Sequence, residues 1–506
     1  MKKFHYIIIA FIIILTGCTE FLTLEPQDEL VREEYWKSEG DVEALIGTAY
    51  VRLGECMTEI YKWSELRGGL LSPNERKVSV SSLEFFNFNV NEFNDEVKWD
   101  DFYKVINVAN TVIEYASLAK ENDQTFSDVV YNGFIAEAYF LRSLSYFYLV
   151  KAFRDVPFIL KSYATDKQDF NIEKTSENII IEQLIEDLNG VLDKAFKPDY
   201  LSILHKDENN NGSNNLGYNK GRANINAIYA LLADLYLWNN QYVKCIDACN
   251  KIKDVYLVNG LDYFSLLYAN KGNSLESIFE LQFDYFEYKT TNDLYKLTSN
   301  NSSGNKEYYV SEYLRELYSN NDLRQHNPDG DVTYCSDPDV LSLWKYEGNA
   351  PYSETSTVVN RTSVTSDANW IFYRYAEIYL MKAEAYAEME EYPNSIKELN
   401  VIKNRANIDP FPENSEDKKA ILKEILDERA REFVGEGKRW FDIVRITRRD
   451  QDNRLSFLKN AVIANVNPRS RSAVESKIKD MDSWFLPIYY NELVLNDKLE
   501  QNPFYE

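Results

Sequence analysis

Two stretches of the chain repeat each other at a displacement of 150 residues, and this repeat limits the possible folds most. Residues 221–255 and 373–408 share small, aromatic, aliphatic and amide positions in the same order. The matched pairs are Ala233/Ala383, Tyr236/Tyr386, Tyr242/Tyr392, Ile246/Ile396, Asn250/Asn400 and Ile252/Ile402. Apolar residues at three- and four-residue steps predict two amphipathic helices in each stretch, so each repeat is a helical hairpin.

These hairpins resemble tetratricopeptide units, with small residues in the first helix and a tyrosine at the start of the second. Such a hairpin buries its apolar stripe only by stacking on another, so several must form one layer. We therefore expect a mainly α fold with a helical scaffold at residues 41–256 and 369–506. Residues 257–368 are expected to form a loop-rich insertion with a few short strands, for which Ser277–Phe283 and Leu343–Tyr346 are the candidates.

A further pattern lies at Glu428–Arg445, where two apolar helical faces are separated by Gly435 and Gly437. Glycines at this place suit a helix end that needs a positive φ, so a tight turn between two helices is predicted. Acidic and basic residues alternate at helical steps on both sides of the turn. They are Glu428, Glu432, Glu436, Arg439, Asp442 and Arg445. We expect ion pairs across the turn to pin this hairpin, with Arg439 among buried acids.

The first residues have the pattern of a targeting segment. Lys2 and Lys3 precede the apolar run Phe4–Leu15, which is short for a membrane span. Small residues then lead to Cys18, and the sequence Leu-Thr-Gly-Cys resembles the lipobox of bacterial lipoproteins. We expect residues 1–17 to be a signal peptide, Cys18 to be acylated, and residues 18–40 to be a tether. An ordinary signal peptide with a chance cysteine and a single-pass anchor are the alternatives.

The net charge of −25 excludes nucleic acid as an expected partner and argues against binding to anionic lipid. Attachment to a membrane is therefore expected through the lipid anchor only. The sequence has three His, and phosphate loops, nucleophile elbows and zinc-protease motifs are absent from it. We expect a binding protein and not an enzyme, although paired carboxylates among 81 acidic residues could in principle serve a glycosidase.

Two weak metal patterns are more simply read as structural features. Cys245 and Cys249 lie four residues apart on a predicted helix, and with no His nearby they are expected in the core rather than at a metal. The stretch Asp207–Gly212 resembles the start of a calcium loop, but Tyr218 stands where the twelfth, acidic ligand belongs. We expect a plain loop and no cofactor, with calcium as the alternative.

Several stretches together resemble one family, the SusD/RagB outer-membrane lipoproteins of Bacteroidetes. The resemblance rests on Cys18, the aromatic helix that ends in Asp155-Val156-Pro157, the Asp322-Leu323-Arg324 turn, Glu428–Arg445, and the ending Phe485–Pro503. Tyr489 and Phe504 depart from it, because Pro and Gly are usual at those places. The chain after residue 17 is therefore identified as a single SusD-like domain, 18–506.

The resemblance implies a surface-exposed protein of the outer membrane that delivers a nutrient to a SusC-like TonB-dependent transporter. SusD-like members mostly bind glycans, whereas RagB-like members bind peptides. A helical-repeat scaffold for other proteins, without a small ligand, is the remaining alternative.

Aromatic residues make up 14% of the chain, which suits ligands with flat apolar faces such as sugar rings. The expected ligand-binding residues come from two aromatic segments that have little helical periodicity, together with polar neighbours. They are Arg67, Asn74, Phe85, Phe86, Phe88, Tyr285, Tyr288, Asn292 and Tyr295. The run Phe85–Asn89 is either a short buried strand or a displayed aromatic patch. The resemblance places the corresponding loops of SusD-like proteins on the ligand face.

Overall fold

A computed structural model describes residues 35–163, 168–200, 216–263, 267–268, 272–285, 289–298, 306–327, 330–334, 341–349, 359–362 and 366–506. Several sequence-based predictions fall outside these ranges: the signal peptide at residues 1–17, the lipobox at Cys18, most of the tether at residues 18–40, the calcium-like stretch Asp207–Gly212, and the ligand residue Tyr288. Within the described ranges, no helix combines the length and apolar character needed to cross a bilayer.

The protein is mainly helical, as predicted, and helices flank the insertion on both sides. Before the insertion they are α1 (Glu39–Glu55), α2 (Met57–Glu65), α3 (Val80–Phe86), α4 (Asp100–Asn122), α5 (Asp128–Phe153), α6 (Glu177–Asn189), α7 (Leu216–Gly221), α8 (Ile225–Trp238) and α9 (Tyr242–Lys251). Within it are α10 (Leu294–Thr298), α11 (Glu312–Leu317) and α12 (Trp344–Glu347). After it come α13 (Tyr375–Glu388), α14 (Tyr392–Arg405), α15 (Lys418–Phe433), α16 (Arg439–Arg448), α17 (Gln451–Ile463), α18 (Arg471–Lys477) and α19 (Tyr490–Leu495).

The two repeated stretches fold as predicted into the hairpins α8–α9 and α13–α14. Helix α9 packs against α13, so repeats that are far apart in sequence stack directly on each other. Ala233 and Ala383 are completely buried, which agrees with the expectation that small residues allow close helix approach. Cys245 and Cys249 are buried in the same layer, which confirms them as core residues.

The strands are short, and each forms a two-stranded antiparallel sheet with one other strand. They are β1 (Leu71–Pro73) with β5 (Tyr308–Val310), β2 (Val156–Pro157) with β3 (Lys174–Thr175), β4 (Ser277–Leu281) with β10 (Trp370–Arg374), β6 (His326–Asn327) with β7 (Gly330–Asp331), and β8 (Gly348–Asn349) with β9 (Val359–Asn360). The predicted strand at Ser277–Phe283 is confirmed in its first five residues, β4. Its partner β10 leads into α13, so this pair joins the insertion to the scaffold.

The prediction of a strand at Leu343–Tyr346 is wrong, because this stretch enters the short helix α12. Lys345 Nζ lies 2.8 Å from Glu436 Oε1, and the Tyr346 hydroxyl donates to the Gly435 carbonyl at 3.0 Å. Consecutive residues of a strand point to opposite faces, so a strand would not bring both side chains to the same turn. The helical turn satisfies both contacts.

Candidate functional site

The turn between α15 and α16 forms as the glycine pattern predicts. Gly435 and Gly437 have φ values of +79° and +72°, a conformation in which most residues are strained. A β-carbon on Gly437 would lie 2.8 Å from atoms of both Ile60 and Trp370. The turn therefore needs glycine for its backbone conformation and for its close packing on α2 and β10.

The acids on this hairpin are held by cations from the insertion, from the neighbouring repeat and from α15 itself. We call them the turn carboxylates: Glu428, Glu432 and Glu436, each with a side chain completely buried. Their partners are Arg324, Lys345, Arg374, Arg405 and Arg431, at distances that include 2.6 Å from Glu428 to Arg324 and 2.8 Å from Glu436 to Lys345. Arg324 and Lys345 belong to the insertion, so the cluster fastens the insertion to the scaffold.

Arg439 does not pair with these acids, and this corrects the sequence-based expectation. Its guanidinium donates to the carbonyl oxygens of Gly68 at 3.3 Å and Leu426 at 2.9 Å. The physical reason is direction: at the first position of α16, Arg439 faces α2 and the far side of α15, away from the turn carboxylates. The ion pair that crosses the turn joins Arg429 of α15 to Asp442 of α16 at 2.8 Å, while Asp442 and Arg445 pair within α16 at 2.9 Å.

At the turn carboxylates, pairing with cations lowers the pKa by more than burial raises it. Burial alone would raise the pKa of Glu428 and Glu436, but their cationic partners lower it to about 2 in both cases. The pKa of Glu432 is likewise held well below its usual value, against burial, by Arg405 and Arg374 above all. These groups are ionised, paired and sealed from solvent, so they are structural.

Six of the predicted ligand residues are in the interior. Arg67, Phe85, Phe86, Phe88, Asn292 and Tyr295 are between 0% and 6% exposed. A side chain so covered offers no face on which a sugar ring can stack, so the structure places these six residues where they support the fold from inside. Asn292, for example, donates its amide to the Ala368 carbonyl and thereby holds the chain around it.

The aromatic run near Phe85 is neither the buried strand nor the displayed patch that the sequence allowed. Ser79 accepts a hydrogen bond from the Ser82 amide and starts α3, which the run then ends. The Phe86 ring lies 5.6 Å from that of Tyr308, and the Phe88 ring lies 5.9 Å from that of Trp440. The aromatic side chains therefore join this segment to the insertion and to α16 from the inside.

The segment after α2 nevertheless lies directly against the insertion. Strand β1 pairs with β5, and Asn74 continues the contact beyond the strand. Its backbone amide donates to Glu307 O at 2.8 Å, and its side-chain amide donates to Lys306 O at 2.9 Å. Asn74 itself remains half-buried, so its carboxamide is at the edge of this junction.

Two tyrosines on the insertion side keep part of their surface. Tyr285 is half-buried, with Lys289 Nζ 4.7 Å from its ring centre. Tyr309 is half-buried while Tyr308 and Val310 are buried, and Lys306 Nζ lies 4.5 Å from its ring centre. The prediction omitted Tyr309, although strand alternation in Tyr308–Val310 is a signal that could have identified it. We call Asn74, Tyr285 and Tyr309 the insertion face.

A second feature, which the sequence did not reveal, is a cleft of about 680 Å³ between α4, residues 157–163 and 168–172, and α19. We call it the apolar cleft, and its aromatic lining comprises Trp99, Tyr103, Tyr163 and Phe170. Phe170 is 61% exposed and Leu495, opposite in the lining, is 77% exposed. The walls come from stretches almost 400 residues apart, so local sequence carries no signal for it.

The polar groups of the apolar cleft already have partners within the protein. Asn107 donates to Tyr163 O at 3.0 Å and accepts from Tyr163 N at 2.6 Å. The Tyr103 hydroxyl donates to Pro157 O at 2.8 Å, and Asn496 donates to Ile172 O at 2.9 Å. These bonds hold the walls together and leave few donors for the hydroxyl groups of a sugar.

Burial raises the pKa of several carboxyl groups, and two of them adjoin these features: Glu492 lines the apolar cleft, and Glu307 contacts Asn74. Burial raises the pKa of Glu59 and of Glu65 to about 7. Glu65 is completely buried and accepts from the amides of Gly437 at 3.0 Å and Lys438 at 3.3 Å, so it supports the turn. Among the residues that the structure describes, no group of three or more His, Cys, Asp or Glu is arranged to hold a metal ion.

Comparison with known proteins covers almost the whole chain. The sequence model of the SusD family matches residues 202–505, and a second model, described as starch-binding associating with outer membrane, matches residues 20–199. SusD-like protein P38 of Formosa agariphila is 25% identical over 550 residues, covering 99% of each chain. SusD-like protein P2 of the same organism is 24% identical, covering 88% of this chain and 91% of its own.

Solved structures agree on the fold. A SusD superfamily protein from Bacteroides thetaiotaomicron superposes with a TM-score of 0.72 at 20% sequence identity. The match covers 93% of this chain and 99% of that one. The helical scaffold and its insertion are therefore those of this superfamily.

Proposed function

Because the chain belongs to the SusD family, we propose that it captures a glycan at the outer membrane and delivers it to a SusC-like TonB-dependent transporter. The observation that carries this proposal is the match of the two sequence models, which follow each other along the chain. One of them is named for starch binding and for association with the outer membrane. Binding rather than catalysis is the role that this membership supports.

The insertion face is the proposed place of glycan contact. Tyr285 offers a partly accessible ring beside Lys289, Tyr309 offers one beside the buried Lys306, and Asn74 offers a carboxamide next to β5. Aromatic rings stack on the apolar faces of sugars, while amides and ammonium groups bind hydroxyls. The apolar cleft is the poorer candidate, because its polar groups already bond to the protein.

Binding to a panel of polysaccharides in affinity gels, beside a peptide digest, tests the proposal. Retardation by at least one polysaccharide supports glycan capture. Binding to peptides alone would replace it with RagB-like peptide capture. A protein that binds neither would favour a helical-repeat scaffold for other proteins.

Changing Tyr285 to alanine is expected to weaken glycan binding about fivefold, since one stacked ring contributes roughly 1 kcal/mol. The melting temperature should stay nearly constant, because the ring is only half-buried. Titration calorimetry with the retained glycan measures the first effect and a thermal scan the second. Phe170→Ala, which removes an exposed ring from the apolar cleft, is the matched control and should bind as wild type. If Phe170→Ala weakens glycan binding and Tyr285→Ala does not, the binding site lies in the apolar cleft and not on the insertion face.

Attachment through Cys18 is the proposed route to the membrane, with the protein facing outside. Cys18→Ala should prevent acylation. The protein should then leave the membrane fraction, because the lipid anchor is its expected attachment to the membrane. Metabolic labelling with a fatty-acid analogue and fractionation of cells measure both steps. The neighbouring change Thr19→Ala should leave labelling and retention intact. Retention of unlabelled Cys18→Ala at the wild-type level would contradict the anchor.

A further inference from the structure

Arg67 carries a buried positive charge that protein atoms only partly satisfy. It is 4% exposed, and its Nη1 donates to the carbonyl oxygen of Trp484 at 3.0 Å. Its Nε and Nη2 are buried and have no hydrogen-bond partner among the residues that the structure describes. The guanidinium carbon lies 4.3 Å from the ring centre of Trp440, which compensates part of the charge.

A buried guanidinium usually faces a carboxylate, since an unpaired buried charge is strongly destabilising. Most of the other buried arginines described above follow this rule, for example Arg324 with Asp322 and Glu428. Arg439 differs, but its guanidinium donates to two carbonyl oxygens, those of Gly68 and Leu426. No ion pair of Arg67 with an acid occurs among the described residues. Consistent with this, burial lowers the pKa of Arg67 to about 9.

A small cavity lies beside Arg67, and its walls contain a second cation. Lys477 lines it together with Phe88, Val90, Ser483, Phe504 and Tyr505, and none of these residues is acidic. Two cations and no acid around one cavity are unexpected in a chain whose net charge is −25. The cavity leaves about 10 Å³ for the centre of a particle of water size. That is room for one small particle, such as a water molecule or a monatomic anion.

We propose that this cavity binds one monatomic anion, chloride under ordinary conditions, between Arg67 and Lys477. The anion supplies the missing countercharge and accepts hydrogen bonds from the guanidinium and the ammonium group. Lys477 Nζ also donates to Asn89 Oδ1 at 3.0 Å, so the anion links α18 to the segment after α3.

The C-terminal residues close this site. Phe504 and Tyr505 form one wall, and the Tyr505 hydroxyl donates to Phe485 O at 3.2 Å. Phe504 is the position at which the sequence departs from the family's usual glycine. An anion held here therefore fastens the end of the chain to the core through Arg67.

Thermal melting at constant ionic strength tests the proposal, with sodium gluconate replaced stepwise by sodium chloride. Gluconate is too large for the cavity. The melting temperature should rise by about 1–3 °C and reach a plateau as the site fills. Equal melting in both salts, or a rise without saturation, would overturn the proposal.

Two variants test whether the rise in melting temperature with chloride arises from this cavity. Lys477→Met removes a half-buried cation at the edge of the site, so the protein should fold and lose most of the chloride response. Lys459→Met removes a partly exposed lysine that pairs with Glu475, and it should keep the full response. An equal response in both variants would contradict the assignment. In crystals soaked with bromide, the anomalous peak should lie beside Arg67, and its absence there would also overturn the proposal.

Discussion

Replacing Arg374 by alanine should lower the free energy of unfolding by about 3–5 kcal/mol. Its guanidinium lies 2.7 Å from Glu276 and 3.0 Å from Glu436, and it also pairs with Glu432. All four side chains are completely buried. Removal of Arg374 leaves three buried carboxylates with less positive charge to balance them. The loss in the free energy of unfolding should therefore greatly exceed the loss from breaking a surface ion pair. Urea unfolding followed by circular dichroism measures it.

Arg52→Ala is the matched control for this prediction. Arg52 also pairs with a glutamate, Glu55 at 2.8 Å, but both side chains are more than 40% exposed. Exposed pairs contribute little, so the control should change stability by less than about 1 kcal/mol. A loss for Arg374→Ala no larger than that for Arg52→Ala would show that the turn carboxylates do not depend on this cation.

The second large effect is expected on acidification. The pKa values of Glu384, Glu428 and Glu436 are about 2 in the folded protein, and that of Glu432 is also far below its usual value. In the unfolded chain a glutamate titrates near 4.3, so between these values the unfolded state binds more protons. The stabilisation is complete above about pH 5 and is lost as the pH falls towards 2. Glu384, Glu428 and Glu436 each contribute roughly 3 kcal/mol, and Glu432 acts in the same direction.

Unfolding in urea at pH 6, 5, 4 and 3 checks this directly. Stability should fall steeply below pH 5, and Glu436→Gln should fall less steeply because one depressed group is gone. Glu312→Gln, which changes an exposed surface carboxyl group, should follow the wild-type curve. Stability that is constant from pH 6 to pH 3 would contradict the account of the turn carboxylates.

Glu59 and Glu65 have the opposite effect on the pH dependence of stability. Their folded pKa of about 7 lies above the unfolded value, so the folded state binds more protons between about pH 4.3 and 7. Their contribution is present at low pH and is lost as the pH rises through 7. Together the two groups of acids place the expected stability maximum near pH 5.

The scaffold could be predicted because its signals are local. The matched positions of α8–α9 and α13–α14 repeat with helical periodicity, and the glycines at 435 and 437 identify a turn. A buried helix such as α5 is recognisable because nearly every position is apolar. These features depend on residues that are neighbours in sequence, and the structure confirms them.

The binding residues could not be predicted in this way, because accessibility depends on tertiary contacts. An aromatic run such as Phe85–Phe88 has the same composition whether it is displayed or packed against Tyr308 and Trp440. The partners of the turn carboxylates also come from distant segments, so spacing within one hairpin suggested the wrong cation. Arg324 reaches them because the insertion folds back on α15, and Arg374 reaches them from the end of β10.

Hydrogen exchange with and without the bound polysaccharide tests most directly whether the insertion face captures glycan. Binding should slow amide exchange in residues 71–76, 282–285 and 306–310, which surround Asn74, Tyr285 and Tyr309. Residues 157–163, 168–172 and 490–499, which line the apolar cleft, should exchange as in the free protein. Protection confined to the cleft segments, with the insertion face unchanged, would contradict the proposed site.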